Sequence, residues 1–233
     1  MLPVSSSSSR KKLLTVNSSS LKNFPISHAI DSFPCYYTNA QSILNKFSEF
    51  SDKINNVKPL IIGITETWLK PEIRDSEVML NGYELFRCDR PVISGGGTLL
   101  YIHESLSSIS CRQLDELGFE DAVFRIINLN EKDKLLVSVI YRSTNSCTEN
   151  NEKLLEVMKM LNNVKNISHV LIMGDFNLPE IQWKDMYVSG SVDSLPMKFF
   201  DLANDLFLHQ HIEEFTRFRI DHEASHLDLL FFQ

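Results

Sequence analysis

Val170-Leu171-Ile172-Met173-Gly174-Asp175-Phe176-Asn177 sets an acid and an amide two residues apart at the end of a continuous apolar run. Read as a buried strand, the run delivers Asp175 and Asn177 on one side, because side chains alternate along a strand. Strand ends are where α/β proteins place their chemistry, and Gly174 is expected to let a substrate approach the backbone. A second stretch repeats the construction: Leu60-Ile61-Ile62-Gly63-Ile64 leads into Thr65-Glu66-Thr67-Trp68. Two carboxylates and an amide on separate strand tips can hold a hard divalent cation and aim a water at a phosphate. Taken singly, Asp or Asn after a strand also suits a turn or a helix cap.

Around these stretches, 233 residues with 43% hydrophobic content can bury a full core, and the length suggests one domain with a tail. No run approaches the roughly 18 apolar residues of a membrane span. Ser5–Ser9 with Arg10-Lys11-Lys12 lacks the apolar segment of a signal peptide, so an intracellular protein, nuclear or cytoplasmic, is expected. Cys35, Cys88, Cys111 and Cys147 are scattered without a C-x-x-C pair, which disfavours a zinc ribbon or a dense disulfide framework. A net charge of −7 argues against a broad basic surface that coats nucleic acid, and an acidic metal-centred cleft adds to that negative total.

Residues 1–32, rich in serine, read as a flexible tail, and 33–233 as the folded domain. Strands are expected near 35–38, 60–65, 83–88, 97–103, 121–129, 134–141, 167–174, 209–213 and 226–232, and helices near 42–56, 151–164 and 194–207. Successive strands between Tyr83 and Tyr141 point to antiparallel pairing there, while the flanks alternate β and α. The mixture implies an α/β protein with mixed sheets covered by helices. Gly95-Gly96-Gly97 precedes a strand and lacks the Lys-Ser/Thr pair of a phosphate loop, so it reads as a bend. Trp183 and Tyr187, after the GDFN stretch, read first as a satellite cluster under a loop and second as a DNA-stacking loop.

Read in order, Tyr37-Thr38-Asn39-Ala40-Gln41-Ser42, Ile64-Thr65-Glu66-Thr67-Trp68-Leu69, Val139-Ile140-Tyr141-Arg142-Ser143 and Ile172–Asn177 resemble the endonuclease/exonuclease/phosphatase superfamily. Phe215-Thr216-Arg217, followed by Ser225-His226-Leu227-Asp228-Leu229, is similar to the apurinic-type endonuclease domain of non-LTR (LINE-like) retrotransposons. The resemblance implies a four-layered α/β sandwich of two mixed β-sheets flanked by helices, and Mg²⁺-dependent cleavage of phosphodiester or phosphomonoester bonds, with Mn²⁺ as a substitute. It assigns Glu66 and Asn39 to the metal and Asp175 to the attacking water. Asn177 and Tyr141 fall to the phosphate, and Asp228 to an acid that orients a catalytic group. It places Thr216, Arg217 and Ser225 at the substrate. The implied substrate is DNA, nicked by a domain of a reverse transcriptase-associated element. Asp228, a lone acid in the apolar stretch Leu227–Phe232, requires a partner.

One departure from the pattern carries further expectations. Active members bear a Ser-Asp-His strand after the Leu-Asp-Leu segment, and the sequence ends at Gln233, so the resemblance implies a domain missing its last strand and terminal histidine. Asp221-His222 precedes that segment and is a poor substitute, and His209 with His211 lacks a third ligand for zinc. An unpaired edge near 226–232 that invites self-association is then expected. The alternatives are an inactive retroelement remnant that keeps the fold, and a related phosphodiesterase or phosphatase.

Overall fold

The computed structural model describes residues 12–17, 32–90, 95–161, 163–212, 216–219, 222–225 and 227–233. The first sheet contains β1 (Lys12–Asn17), β2 (Ser32–Asn39), β3 (Ile61–Thr65), β4 (Tyr83–Cys88) and β5 (Thr98–His103), in the order β1-β2-β3-β5-β4. Along the chain follow β6 (Ser108–Ser110), β7 (Ala122–Asn128), β8 (Lys134–Tyr141) and β9 (His169–Asp175), a small hairpin of β10 (Ile181–Gln182) and β11 (Tyr187–Val188), and β12 (His209–Gln210). A second hairpin, β13 (Arg217–Arg219) with β14 (His222–Ser225), leads to β15 (Asp228–Phe232). The second sheet runs β12-β15-β9-β8-β7-β6.

The two sheets repeat one topology that the sequence does not reveal. β2 lies parallel to β3, which is antiparallel to β5; β8 lies parallel to β9, which is antiparallel to β15. β1 and β7 then flank β2 and β8 antiparallel, in equivalent places. Asn39 pairs with Thr65 in the first sheet as Tyr141 pairs with Asp175 in the second. The carboxyl ends of both parallel pairs therefore carry the polar residues singled out above.

Strand alternation builds four layers. Cys35, Tyr37 and Ile61 of the first sheet meet Val137, Val139, Leu171 and Met173 of the second in the central core. The intervening Tyr36, Ile62 and Ile64 point outward onto Phe50 and Ile54 of α1 (Phe47–Val57). On the far side, Leu136, Ile140, Val170 and Ile172 are covered by α2 (Arg112–Asp115), α3 (Thr148–Leu161) and α4 (Leu195–Asp205). The helices form where the sequence spaces apolar residues three and four apart, as Leu154, Val157, Met158 and Leu161 are in α3. Ser194 starts α4 by accepting the Met197 N–H, with Pro196 in the first turn.

Each strand and helix expected from the sequence is present, and the four-layered sandwich is the observed architecture. Several readings change. Lys12–Asn17, inside the stretch read as a flexible tail, is a strand along β2; its short β-prone run is masked in sequence by the serines around it. Of the edge expected near 226–232, Leu230–Phe232 is covered, since β12 pairs with Phe231 and Phe232 and the His211 N–H reaches Leu230 O; His226 lies outside the described residues, and nothing among those described supports self-association. Gly174 serves the sheet rather than a substrate: a β-carbon there would overlap the Ile140 carbonyl oxygen of β8. The first expected helix opens as a 3₁₀ turn at Leu44–Lys46 before α1 begins.

Candidate active site

Asn39, at the end of β2, is the centre of the polar cluster between the sheet ends. Its amide Nδ2 donates to Glu66 Oε1 and to Asp175 Oδ2, both at 2.9 Å. Two carboxylates facing one amide settle its orientation, because only the NH₂ group can donate to both. Asn39 Oδ1 is thereby left buried with no hydrogen-bond partner among the described residues. Asn39 does not cap the helix that follows, because a cap accepts through Oδ1 and that atom receives no backbone N–H among the described residues.

Glu66 reaches this position through a left-handed backbone, φ +50°, immediately after β3. Asp175 closes β9 and is 4% exposed. It also accepts the Asn177 N–H at 3.2 Å, and Asn177, itself left-handed at φ +49°, donates its side-chain amide to Arg142 O at 2.8 Å. Arg142 returns the contact by donating to the carbonyls of Phe176 and Asn177, and it is held by Asn151. The turn that presents Asp175 and Asn177 is thus braced from α3 and from the end of β8.

Asp228 stands opposite Asp175 in the β9–β15 register. The partner required for this acid is Tyr37, whose hydroxyl donates to Asp228 Oδ1 at 2.8 Å and lies 2.8 Å from Thr65 Oγ1. Thr216 Oγ1 accepts the Leu227 and Asp228 N–H groups and so fixes the start of β15. Arg217 and Ser225 are register partners in the β13–β14 hairpin.

The crowding of acids sets their protonation. Burial, then the Asp228 and Glu66 charges, hold the Asp175 carboxyl well above the usual carboxylate range, against the opposing bonds from Asn177 and Asn39. Burial raises Asp228 to about 6, although Tyr37 and Thr216 stabilise its charge. Tyr141 lies beside them at the end of β8, and its hydroxyl has no hydrogen-bond partner among the described residues. Burial and the Glu66 and Asp175 charges push that hydroxyl up to about 12, while Arg90 pulls it down.

Arg90 and Asp121 tie the two sheets together at this end. The Arg90 guanidinium sits 5.5 Å from the Tyr141 ring centroid and ion-pairs with the buried Asp121 carboxylate. Asp121 also accepts the Gly97 N–H at 3.0 Å and, through its carbonyl, the Tyr141 N–H at 2.9 Å. Gly97 O in turn accepts the Thr67 N–H next to Glu66. Asp121 thus links Tyr141 of the second sheet to the Glu66 turn of the first.

Comparison with solved structures identifies the architecture. The endonuclease domain of TRAS1, a telomere-specific non-LTR retrotransposon, superimposes with a TM-score of 0.58 at 19% identity, over 84% of this chain and 82% of that one. An AP endonuclease, LMAP, from Leishmania major gives a TM-score of 0.61 at 14% identity, over 84% and 77%. The 3′ phosphatase NExo from Neisseria, bound to a product DNA hairpin, gives 0.54 at 12% identity, over 84% of each chain. The domain has the endonuclease/exonuclease/phosphatase superfamily fold. Residues 135–233 match the endonuclease-reverse transcriptase family model. No curated protein sequence matches the chain.

Within this superfamily fold, Asn39, Glu66, Tyr141, Asp175, Asn177 and Asp228 gather at one end of the sandwich, with Thr216 bound to the start of β15. The residues sequence reading missed are Tyr37, Thr65, Arg90, Asp121 and Arg142. Tyr37 and Arg142 stood inside motifs already quoted, and a buried acid in need of a donor was the signal for Tyr37. Arg90 and Asp121 carried none, being joined only by the fold. Trp183 packs in the core against Phe200 and Phe231, and Tyr187 is exposed on β11. The four cysteines are free thiols. No helix among the described residues is long and apolar enough to cross a membrane.

The donor set suits a hard, sparsely ligated cation. Among the described residues no three His, Cys, Asp or Glu side chains converge as a metal cage. Glu66 and the orphaned Asn39 Oδ1 together offer two oxygen ligands instead, and Mg²⁺ accepts such a pair because it keeps most of its waters.

Proposed function

We propose that the domain is a divalent-metal-dependent DNA endonuclease of retrotransposon type, which hydrolyses one phosphodiester bond and nicks its substrate. The observation that carries this reading is the Asn39 amide, clamped between one carboxylate from each sheet with its own oxygen left unsatisfied among the described residues. Glu66 and Asn39 would hold Mg²⁺ or Mn²⁺. When bound, the cation supplies positive charge that offsets the charge developing on the phosphoryl oxygens.

The chain's own residues do the rest. Asp175, with its raised proton affinity, takes a proton from the attacking water, and the amides of Asn39 and Asn177 hold its oxygens in place. The Tyr141 hydroxyl donates to a phosphate oxygen, and the second N–H of the Asn177 side-chain amide does the same from the turn that follows β9. Asp228, anchored by Tyr37 and Thr216, adds negative charge beside Asp175 and so raises its basicity. Arg217 and Ser225, on the β13–β14 hairpin next to Thr216, flank the DNA.

A substrate panel tests the reading. Purified protein with Mg²⁺ is offered supercoiled plasmid, a 3′-phosphorylated duplex oligonucleotide and a small aryl phosphodiester. Nicked circles are expected. Phosphate release from the oligonucleotide without nicking would assign the domain to the phosphatases. Turnover of none by folded protein would mark an inactive retroelement remnant.

A further inference from the structure

The chain has two tryptophans in opposite settings. Trp183 is 9% exposed within the core, whereas Trp68 is 47% exposed and stands two residues beyond Glu66. Glu66 and Trp68 both adopt the left-handed backbone, at φ +50° and +55°, on either side of fully buried Thr67. Residues with a β-carbon avoid this region unless the surroundings impose it. Here they do: the Thr67 N–H donates to Gly97 O at 3.3 Å and the Trp68 N–H to Gly96 O at 3.0 Å. The same turn that aims Glu66 into the site therefore holds the Trp68 indole out in solvent.

The floor of this corner is bare backbone over a cation. A β-carbon at Gly95 would lie 3.8 Å from Trp68 Nε1, so the indole runs along the glycine backbone. A β-carbon at Gly96 would come within 2.6 Å of Arg90 Nε, so the guanidinium packs directly beneath. The exposed aromatic face and the proposed metal carboxylate share one turn, and the Arg90 cation lies beneath the glycines that brace it. For a chain of net charge −7, counterion release can supply little of the binding energy for a polyanion. Stacking on an aromatic ring can supply it regardless of sequence.

We propose that Trp68 is a stacking platform for the base or sugar of the nucleotide adjoining the scissile phosphate. It would set where along a strand the nuclease seats. The inference rests on the nuclease reading above and assigns a nucleic-acid contact that the catalytic constellation does not include.

The test separates the two. In an Asp175→Asn background with Mg²⁺, binding of a fluorescein-labelled duplex oligonucleotide is followed by anisotropy, and tryptophan emission is followed with the unlabelled duplex. Duplex binding should quench the emission, and Trp68→Phe should abolish the quenching, because buried Trp183 remains as the emitter, while binding stays within about threefold. Trp68→Ala should weaken binding about 10- to 100-fold with an unchanged salt slope. Its fold is checked by circular dichroism and thermal unfolding. Binding that is undiminished in Trp68→Ala and unquenched in the parent would overturn the platform and leave the nuclease reading intact. Absence of any binding by the folded parent would overturn both.

Discussion

Replacing Asp228 by Asn should stabilise the metal-free domain, and by an amount that grows with pH. Asp228 titrates near 6 in the folded chain against 3.8 for an ordinary aspartate, so folding favours its protonated form. Stability from this group is fully present below pH 3.8 and is lost as pH rises through about 6. The loss amounts to about 1 to 2 kcal/mol at pH 5 and about 3 kcal/mol at pH 8. Asp228 keeps some contact with solvent, which makes these upper figures. Asparagine keeps an oxygen for the Tyr37 hydroxyl and does not ionise in this range. Removing the Asp228 charge also relieves Asp175, whose raised proton affinity depends on it, and this adds in the same direction. Urea unfolding of both proteins in EDTA at pH 5 and pH 8 measures the difference. The variant should gain about 1 to 2 kcal/mol more at pH 8 than at pH 5. An equal effect at the two pH values, or a loss that deepens at pH 8, would refute the electrostatic reasoning.

Tyr37→Phe removes the donor to Asp228 and should cost about 1–3 kcal/mol, more at pH 8 than at pH 5, in the same urea assay. Gly174→Ala forces a methyl group into the Ile140 carbonyl and should cost more than about 3 kcal/mol or prevent folding. Gly118→Ala, with open space around it but φ +64°, should cost only about 1 kcal/mol, and thermal unfolding compares the two. Mg²⁺ at about a hundredfold its Kd should add about 2.7 kcal/mol to the wild-type domain, with the gain lost in Glu66→Gln and Asn39→Ala.

The sheets were legible because their signals are local. Buried strands such as Val170–Gly174 announce themselves as apolar runs ended by turn residues, and α3 by its three-and-four spacing. The motif residues were legible for the same reason, standing at the ends of those runs. Contacts that join distant segments were not. Tyr37 and Asp228 are 191 residues apart, and nothing near either names the other. Arg90 and Asp121 meet only because the Gly95–Gly97 bend folds between them. β1 escaped notice because six residues of strand among serines carry too little pattern, and its pairing is set by β2 rather than by itself.

The most direct test of the central claim is nicking of supercoiled plasmid by the wild-type domain, Asp175→Asn and Glu66→Gln, each with Mg²⁺ and with EDTA. Nicking by the wild type in Mg²⁺ alone, reduced by about a hundredfold or more in both variants, is the predicted result. Nicking that persists in EDTA, or that survives unchanged in Asp175→Asn, would contradict the assignment of cation and base to this site.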